Sequence, residues 1–264
     1  MRIHSLLLPF RFDPERLRED VAQVKTDEWI SHYNQSDYEG NWSGVALRSR
    51  DGSTRDLIVS AAGYRDTPLL ERCAYFCELL GQFQFPLTAV RLLRLHPGSI
   101  IKEHCDPALG FEDGEIRLHI PIQTSPDVHF YLDGRRVILN EGETWYLDLS
   151  RRHRIENRSS IDRIHLVIDG AVNDWIRSVF EAALTAAGGI DLPPVTVTAF
   201  DRFRELVFED AELQAKLLAT PDRGAFVELT VQLGRERGYE FDADLVESAI
   251  RRGRQAWNDR WVTA

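Results

Sequence analysis

An imidazole and a carboxylate stand two residues apart in Lys102-Glu103-His104-Cys105-Asp106, just after an extended run and its Pro97-Gly98 turn. Residues i and i+2 share a face of an extended segment. His104 and Asp106 can therefore present a nitrogen and an oxygen to the same metal ion, with Cys105 directed away as a structural residue. A His-x-Asp pair arises easily by chance in a chain with 8 histidines, so the pair needs a third donor. His153, in Ser150-Arg151-Arg152-His153-Arg154, is placed to supply it. Two histidines and one carboxylate on one face of an octahedral ion leave three positions open for reactants, the arrangement of non-haem Fe(II) oxygenases.

Ten residues beyond His153 comes Arg163, in Arg163-Ile164-His165-Leu166-Val167-Ile168. With a strand period of two, Arg163, His165 and Val167 share one face and the isoleucines and leucine the other. Ile116-Arg117-Leu118-His119-Ile120 repeats the pattern, with Arg117 and His119 opposite the apolar set. One such stripe would be read as a solvent face. Two stripes close in sequence to the metal donors point instead to a pocket, where a guanidinium can clamp a carboxylate through two parallel hydrogen bonds.

Strands must carry these groups. Between residues 88 and 169 the chain breaks into short β-branched runs: 89–96, 116–123, 128–132, 136–139, 143–148 and 161–169. Pro97-Gly98, Asp113-Gly114, Asp133-Gly134 and Glu141-Gly142 separate them as turns, and many short strands at this spacing predict a jelly roll. Helices are expected at 13–24, with Asp13 as cap and Pro14 in the first turn, and at 68–80, where Cys73 and Cys77 pack as small buried hydrophobes. Residues 171–187 close the unit with another helix. The segment from Tyr33 to Trp42 reads as a polar, aromatic loop that, with Arg91 and Arg94, borders the pocket. His4, His32 and His96 read as surface or capping residues, Trp145 as core, and His165 either as pocket or as a satisfied core histidine. His129 lies on a strand of undetermined face.

Gly188-Gly189 followed by Pro193-Pro194 ends a helix and prevents its continuation, which sets a boundary between residues 1–190 and 191–264. Beyond it, apolar residues recur at helical spacing around Phe200, Phe203 and Val207, then Leu213 and Leu217, then Phe226, Leu229 and Leu233, then Leu245, Val246 and Ile250. The expectation is a mainly β jelly-roll core plus a small C-terminal all-α domain.

Composition narrows the partners. With 43% hydrophobic and 28% charged residues the chain is globular, and a net charge of -10 argues against a general phosphate-binding surface, so nucleic acid is not an expected partner. The N-terminal apolar run is too short for a signal sequence, and no stretch reaches the roughly 18 apolar residues of a membrane span. Three cysteines make a disulfide framework improbable, and a cytoplasmic location fits.

The motifs His104-Cys105-Asp106, Ile116-Arg117-Leu118-His119, Gly142-Glu143-Thr144-Trp145-Tyr146-Leu147-Asp148, His153 and Arg163-Ile164-His165-Leu166-Val167 resemble, in order and spacing, the aspartyl/asparaginyl β-hydroxylase family. The closer branch is that of the bacterial L-proline cis-4-hydroxylases, and the resemblance spans residues 2–170. It implies a double-stranded β-helix and an Fe(II)-dependent dioxygenase with 2-oxoglutarate and O2 as cosubstrates. Such an enzyme hydroxylates an unactivated carbon of an Asp-, Asn- or Pro-like amino acid, free or in a peptide. Carried over, His104, Asp106 and His153 would hold iron and Arg163 the distal carboxylate of 2-oxoglutarate, with Arg117, His119 and His165 in the same pocket. The animal peptidyl branch has glycine in place of Asp106, so the carboxylate here implies the branch acting on free amino acids. A jelly-roll binding or sensor protein without turnover is the alternative from another class.

Residues 196–250, with Phe203, Asp210, Leu213, Leu217, Asp222, Phe226-Val227, Leu233-Gly234, Gly238-Tyr239-Glu240-Phe241 and Leu245, resemble the helical leader-type domain of Nif and nitrile-hydratase-like precursor peptides. The resemblance implies recruitment of a peptide or protein partner; a helical cap packed on the barrel is the other reading. Cutting the chain near Asp191 separates them. Recruitment predicts a barrel that stays folded, binds 2-oxoglutarate normally and loses turnover mainly on a peptide. A packed cap predicts a lower melting temperature and aggregation, because the apolar surface under Phe203, Phe226 and Leu229 becomes exposed.

Overall fold

A computed structural model describes residues 3–59, 63–106, 109–187, 199–247 and 249–250. The Gly188-Gly189 to Pro193-Pro194 boundary lies outside them. Strands come in the order β1 (Ser5–Arg11), β2 (Ile30–Ser31), β3 (Tyr38–Glu39), β4 (Trp42–Ser49), β5 (Arg65–Asp66), β6 (Leu87–Leu95) and β7 (Ile100–His104). They continue with β8 (Glu115–Gln123), β9 (Val128–Leu132), β10 (Arg135–Val137), β11 (Glu143–Leu147), β12 (His153–Asn157) and β13 (Arg163–Ala171). The helices are α1 (Pro14–Val21), α2 (Ala74–Leu80), α3 (Asp174–Ala186), α4 (Ala199–Glu209), α5 (Ala211–Leu218) and α6 (Arg223–Glu236).

Two antiparallel sheets form the jelly roll. The larger runs β1-β11-β8-β13-β6-β4-β2, with β5 on β4, and the smaller runs β10-β9-β12-β7-β3. Both faces of the larger sheet are buried, each for its own reason. One face carries Leu6, Leu8, Val90, Leu92, Ile116, Leu118, Ile120, Ile164, Leu166 and Ile168, and packs on helical residues Leu17, Phe76, Ile176 and Phe180. The other face turns toward the smaller sheet, where Leu93, Leu95, Leu147 and Val167 meet Ile101, Phe130, Leu132 and Ile155. The two polar stripes therefore point into the space between sheets rather than into water.

Several strands were not legible as such. β1 pairs with β11 from Ser5↔Leu147 to Leu8↔Thr144, so its apolar run is barrel edge. Trp42 begins β4 rather than closing a loop, and its strand pairs with β6 through Trp42↔Leu95. β7 and β12 are short and polar, yet they carry His104 and His153. The expected helix at 68–80 is broken: a single 3-10 turn (Leu70–Arg72) precedes α2, and Cys73 between them has φ -111. The cause is a cap donated from α1, for the Asp20 carboxylate accepts the Phe76 N–H at 2.7 Å and so fixes where α2 starts. Cys73 is buried as expected, but Cys77 is exposed.

At the N-terminus Asp13 caps α1 by accepting from Glu15 and Arg16 N–H groups. From residue 199 on, the described residues form helices and the short connections between them, with no strand. Phe203, Leu213, Leu217 and Leu233 form one small core there, and Phe200, Val227 and Val246 another. Phe241 of the Gly-Tyr-Glu-Phe turn packs on Gly234 so closely that a Cβ there would lie 2.3 Å from its ring. Among the described residues no helix is long and apolar enough to cross a membrane.

Gly142 pins β1 against β8 by accepting from Phe12 N–H at 2.9 Å and donating to Pro121 O at 2.8 Å. It has φ 76, and a Cβ there would meet the Phe12 carbonyl oxygen at 2.2 Å; Gly134 has φ 73 with nothing within 4 Å. An alanine at either site costs about 1–2 kcal/mol for the left-handed backbone. Gly142→Ala should lower the melting temperature clearly more than Gly134→Ala, because it must also displace a backbone carbonyl. Equal losses in thermal unfolding would show that the β1 contact yields freely.

Candidate metal and cosubstrate site

His104 ends β7 and His153 begins β12, and the two strands pair with these residues in direct register. Their rings lie 4.2 Å apart between centroids. Nδ1 of His104 sits 2.8 Å from the Lys102 carbonyl oxygen, and Nδ1 of His153 sits 2.9 Å from that of Arg151. A carbonyl only accepts, so each Nδ1 carries the proton and each Nε2 keeps its lone pair for a metal. Burial, and then the neighbouring His104, push the His153 imidazole down to about 4, which keeps it in the neutral form that ligates. Asp106 completes the set, with donor atoms of all three residues within 4.8 Å of one another.

The carboxylate of Asp106 is divided between two neighbours. Oδ2 accepts from Arg117 Nη1 at 2.5 Å, while Oδ1 lies 3.9 Å from His104 Nε2, which directs one oxygen toward the imidazoles. Arg117 is in turn held by Asp169, to which Nε donates at 2.6 Å and Nη2 at 3.1 Å. Arg91 donates to the same Asp169 at 2.6 Å and to the Leu57 carbonyl at 3.1 Å. Burial opposes the Arg117 charge, yet Asp169 and then Asp106 outweigh it and hold the guanidinium above its ordinary value. Four charges of alternating sign thus run from the metal donors across β8, β13 and β6.

Arg163 differs from Arg117. It is 2% exposed and has no carboxylate within ion-pair distance among the described residues; its Nη2 donates to His165 Nδ1 at 2.9 Å, and its Nε has no partner. Burial lowers its pKa to about 9, so it stays charged at neutral pH. Since His165 Nδ1 accepts, its proton is on Nε2, a second buried atom without a partner. His119 Nδ1 lies 3.4 Å from His165 Nδ1, and its Nε2 is likewise unpartnered. A cavity of about 490 Å³ opens against Arg163 and His165, walled by Thr124, Val128, Phe130, Leu139 and Glu141. Phe130 lies parallel to His153 at 6.3 Å, which brings the cavity wall beside the metal donors. Arg117 and His119 are not among its lining residues; Arg117 belongs to the Asp106 end.

Three further residues belong to this interior. Asp169 continues the Arg163-x-His165-x-Val167 alternation, and extending the period by one step would have found it. Arg91 faces inward, whereas Arg94 points out of the barrel and covers the Trp29 ring at 4.1 Å. His32 corrects a surface assignment: it is buried, stacked on Trp42 at 3.6 Å and on Tyr33 at 4.4 Å. It follows β2, a strand of only two residues, so no periodic signal marked it. His96 pairs with Asp162 at 3.2 Å, His4 is exposed, and Trp145 packs against the inter-sheet core.

Burial, then the Arg91 charge, lower the His32 pKa from 6.5 to about 3, and burial with Arg163 lowers His119 and His165 well below the same value. All three are neutral when folded and take a proton when unfolded. Their contribution is intact above pH about 6.5 and is lost as pH falls toward the folded values, each steepening the loss by ~1.4 kcal/mol per pH unit. Urea melts of metal-free protein at pH 7.5, 6 and 5 should show a sharply falling midpoint. A flat profile would show that these imidazoles titrate normally.

Residues 12–171 match the family model described as aspartyl/asparaginyl beta-hydroxylase, and residues 196–245 match the Nif11 domain model. The chain is 32% identical over 165 residues to the L-proline cis-4-hydroxylase of Rhizobium meliloti (strain 1021), an alignment covering 60% of this chain and 58% of that protein. Similar solved structures include a 2OG-Fe(II) oxygenase family oxidoreductase from Burkholderia pseudomallei, at 18% identity and TM-score 0.43 over 64% of this chain and 86% of that one. A Pseudomonas putida prolyl-4-hydroxylase is similar at 11% identity and TM-score 0.42, over 64% of this chain and 92% of that one. The first of these matches spans more than half of the sequence and includes every donor and both arginine stripes: the chain belongs to the aspartyl/asparaginyl β-hydroxylase family.

Proposed function

We propose that this protein is an Fe(II)- and 2-oxoglutarate-dependent hydroxylase of an amino acid, or of an Asp-, Asn- or Pro-like residue in a peptide. The observation that carries this reading is the convergence of His104, Asp106 and His153, two Nε2 lone pairs and one carboxylate oxygen aimed at one point. That donor set suits Fe(II) and leaves sites free for reactants. Arg163 supports the cosubstrate assignment. A buried guanidinium without an acid is costly, and an incoming carboxylate would remove the cost while taking up the unpartnered Nε2–H of His165. The relative at 32% identity is an L-proline cis-4-hydroxylase, and a carboxylate at Asp106, where the resemblance gives the animal peptidyl branch glycine, fits a free amino acid as substrate.

With iron and 2-oxoglutarate bound, the site would supply oxidation of an unactivated C–H bond to an alcohol by O2, one oxygen atom going to the alcohol and the other to succinate as the cosubstrate loses CO2. The protein's own part is placement. His104 and His153 stay neutral and fixed in tautomer by backbone carbonyls. Arg117 takes one oxygen of Asp106 and leaves the other for the metal. Arg163 and His165 receive the far carboxylate, and the aromatic stack of Tyr33, His32 and Trp42 excludes water beside Arg91. We further propose that residues 1–190 form the catalytic unit and 191–264 a helical unit that recruits a peptide or protein partner.

Anaerobic addition of Fe(II) and 2-oxoglutarate should produce the visible metal-to-ligand charge-transfer band, and its absence in well-folded protein would leave a binding or sensor role instead. His104→Ala and His153→Ala should abolish Fe(II)-dependent succinate formation, with Asp106→Ala severely impaired. Arg163→Ala should weaken 2-oxoglutarate binding roughly ten- to a hundredfold, the equivalent of a charged hydrogen-bond pair, with Arg163→Lys restoring it in part. Unaltered cosubstrate affinity in Arg163→Ala would make that residue structural.

A further inference from the structure

Asp106 lies just after β7 and His153 begins β12, yet one loop holds both. It joins β11 to β12 and spans residues 148–152. The Asp106 N–H donates to the Leu149 carbonyl at 2.7 Å, and the Arg151 carbonyl accepts from His153 Nδ1 at 2.9 Å. Within the loop the Arg151 N–H donates to Asp148 O at 3.2 Å, and on its far side the Asp133 N–H donates to Arg152 O at 2.8 Å.

The side chains lock this backbone. Asp148, with a side chain 4% exposed, accepts from Ser150 Oγ at 2.5 Å and from Arg151 Nε at 3.0 Å. Arg151 Nη1 donates to Asp133 Oδ2. Asp133 sits at the β9–β10 turn with φ 50, the one non-glycine of positive φ among the described residues. Arg151 therefore ties its own loop to a neighbouring turn through two separate edges of one rigid guanidinium.

We infer that Arg151 is a positioning residue for the metal centre. Its bridge from Asp148 to Asp133 fixes the carbonyls of Leu149 and Arg151, and these set where the Asp106 carboxylate starts and which way His153 Nε2 points. The inference rests on the reading that His104, Asp106 and His153 hold the metal. Without the bridge the loop relaxes, the His153 ring loses its anchor, and the three donors no longer converge, an effect of the size seen when groups that orient metal ligands are removed, roughly 10–100-fold in metal affinity.

Co(II) titration of the full chain, followed by its visible d–d absorption, tests this without turnover. Wild type should bind one equivalent and His104→Ala should lose it; if wild type binds none, the metal reading fails and the inference falls with it. Arg151→Gln should bind Co(II) roughly 10–100-fold more weakly with an altered spectrum, while the metal-free protein melts within a few degrees of wild type. Arg151→Lys should recover only part, since an ammonium cannot reach both carboxylates in the same geometry. Asp133→Gly removes the carboxylate while suiting the left-handed backbone, and should shift Co(II) affinity in the same direction; the double variant with Arg151→Gln should be no worse than Arg151→Gln alone. Arg152→Gln, whose side chain is 76% exposed, should match wild type. Wild-type Co(II) affinity and spectrum in both Arg151→Gln and Asp133→Gly would overturn the assignment.

Discussion

A charge taken out of water must meet another charge or a full set of hydrogen bonds, and the interior of this barrel is organised around that requirement. Helices cover one face of the larger sheet and the second sheet covers the other, so arginines 91, 117 and 163 are almost wholly buried. Two of them are answered by Asp169 and Asp106 in an alternating chain. The third has no acid within ion-pair distance among the described residues, and that asymmetry sets its end of the interior apart from the paired end.

The same chain of charges serves the metal donors. Arg117 is immobilised on two oxygens of Asp169 before it touches Asp106, so the carboxylate meets a partner already fixed in orientation. The imidazoles are handled differently, by backbone carbonyls two residues upstream. Neutral donors need only direction, whereas an anionic donor also needs its charge divided so that one oxygen remains available. Neutrality of the buried histidines follows from the same low-dielectric setting, which penalises imidazolium at His32, His119 and His165 alike.

The C-terminal helices have a core of their own, built from Phe203, Leu213, Leu217 and Leu233 and sealed by Phe241 against Gly234. Their contact with the barrel includes Arg204, which donates to the Gly114 carbonyl at 3.4 Å and lies 3.7 Å from Glu115, at the start of the strand that carries Arg117 and His119.

Local chemistry was legible in the sequence wherever a period or a cap expressed it. The alternation in Arg117-x-His119 and Arg163-x-His165 assigned faces correctly, Asp13-Pro14 started a helix, and glycine turns separated strands, because each depends on neighbours within a few residues. What the alternation could not say is what lay beyond each face. Whether a polar stripe meets water or a second sheet is decided by the folding of β7, β9 and β12 over it, contacts that are distant in sequence. The pairing of His153 opposite His104, the seat of His32 against Trp42, the break before α2 imposed by Asp20, and the Asp133–Arg151–Asp148 bridge are all of this kind. Each is set by a partner ten or more residues away or in another turn, and only tertiary packing, through burial and the hydrogen bonds that burial makes obligatory, selects among the partners that the sequence allows.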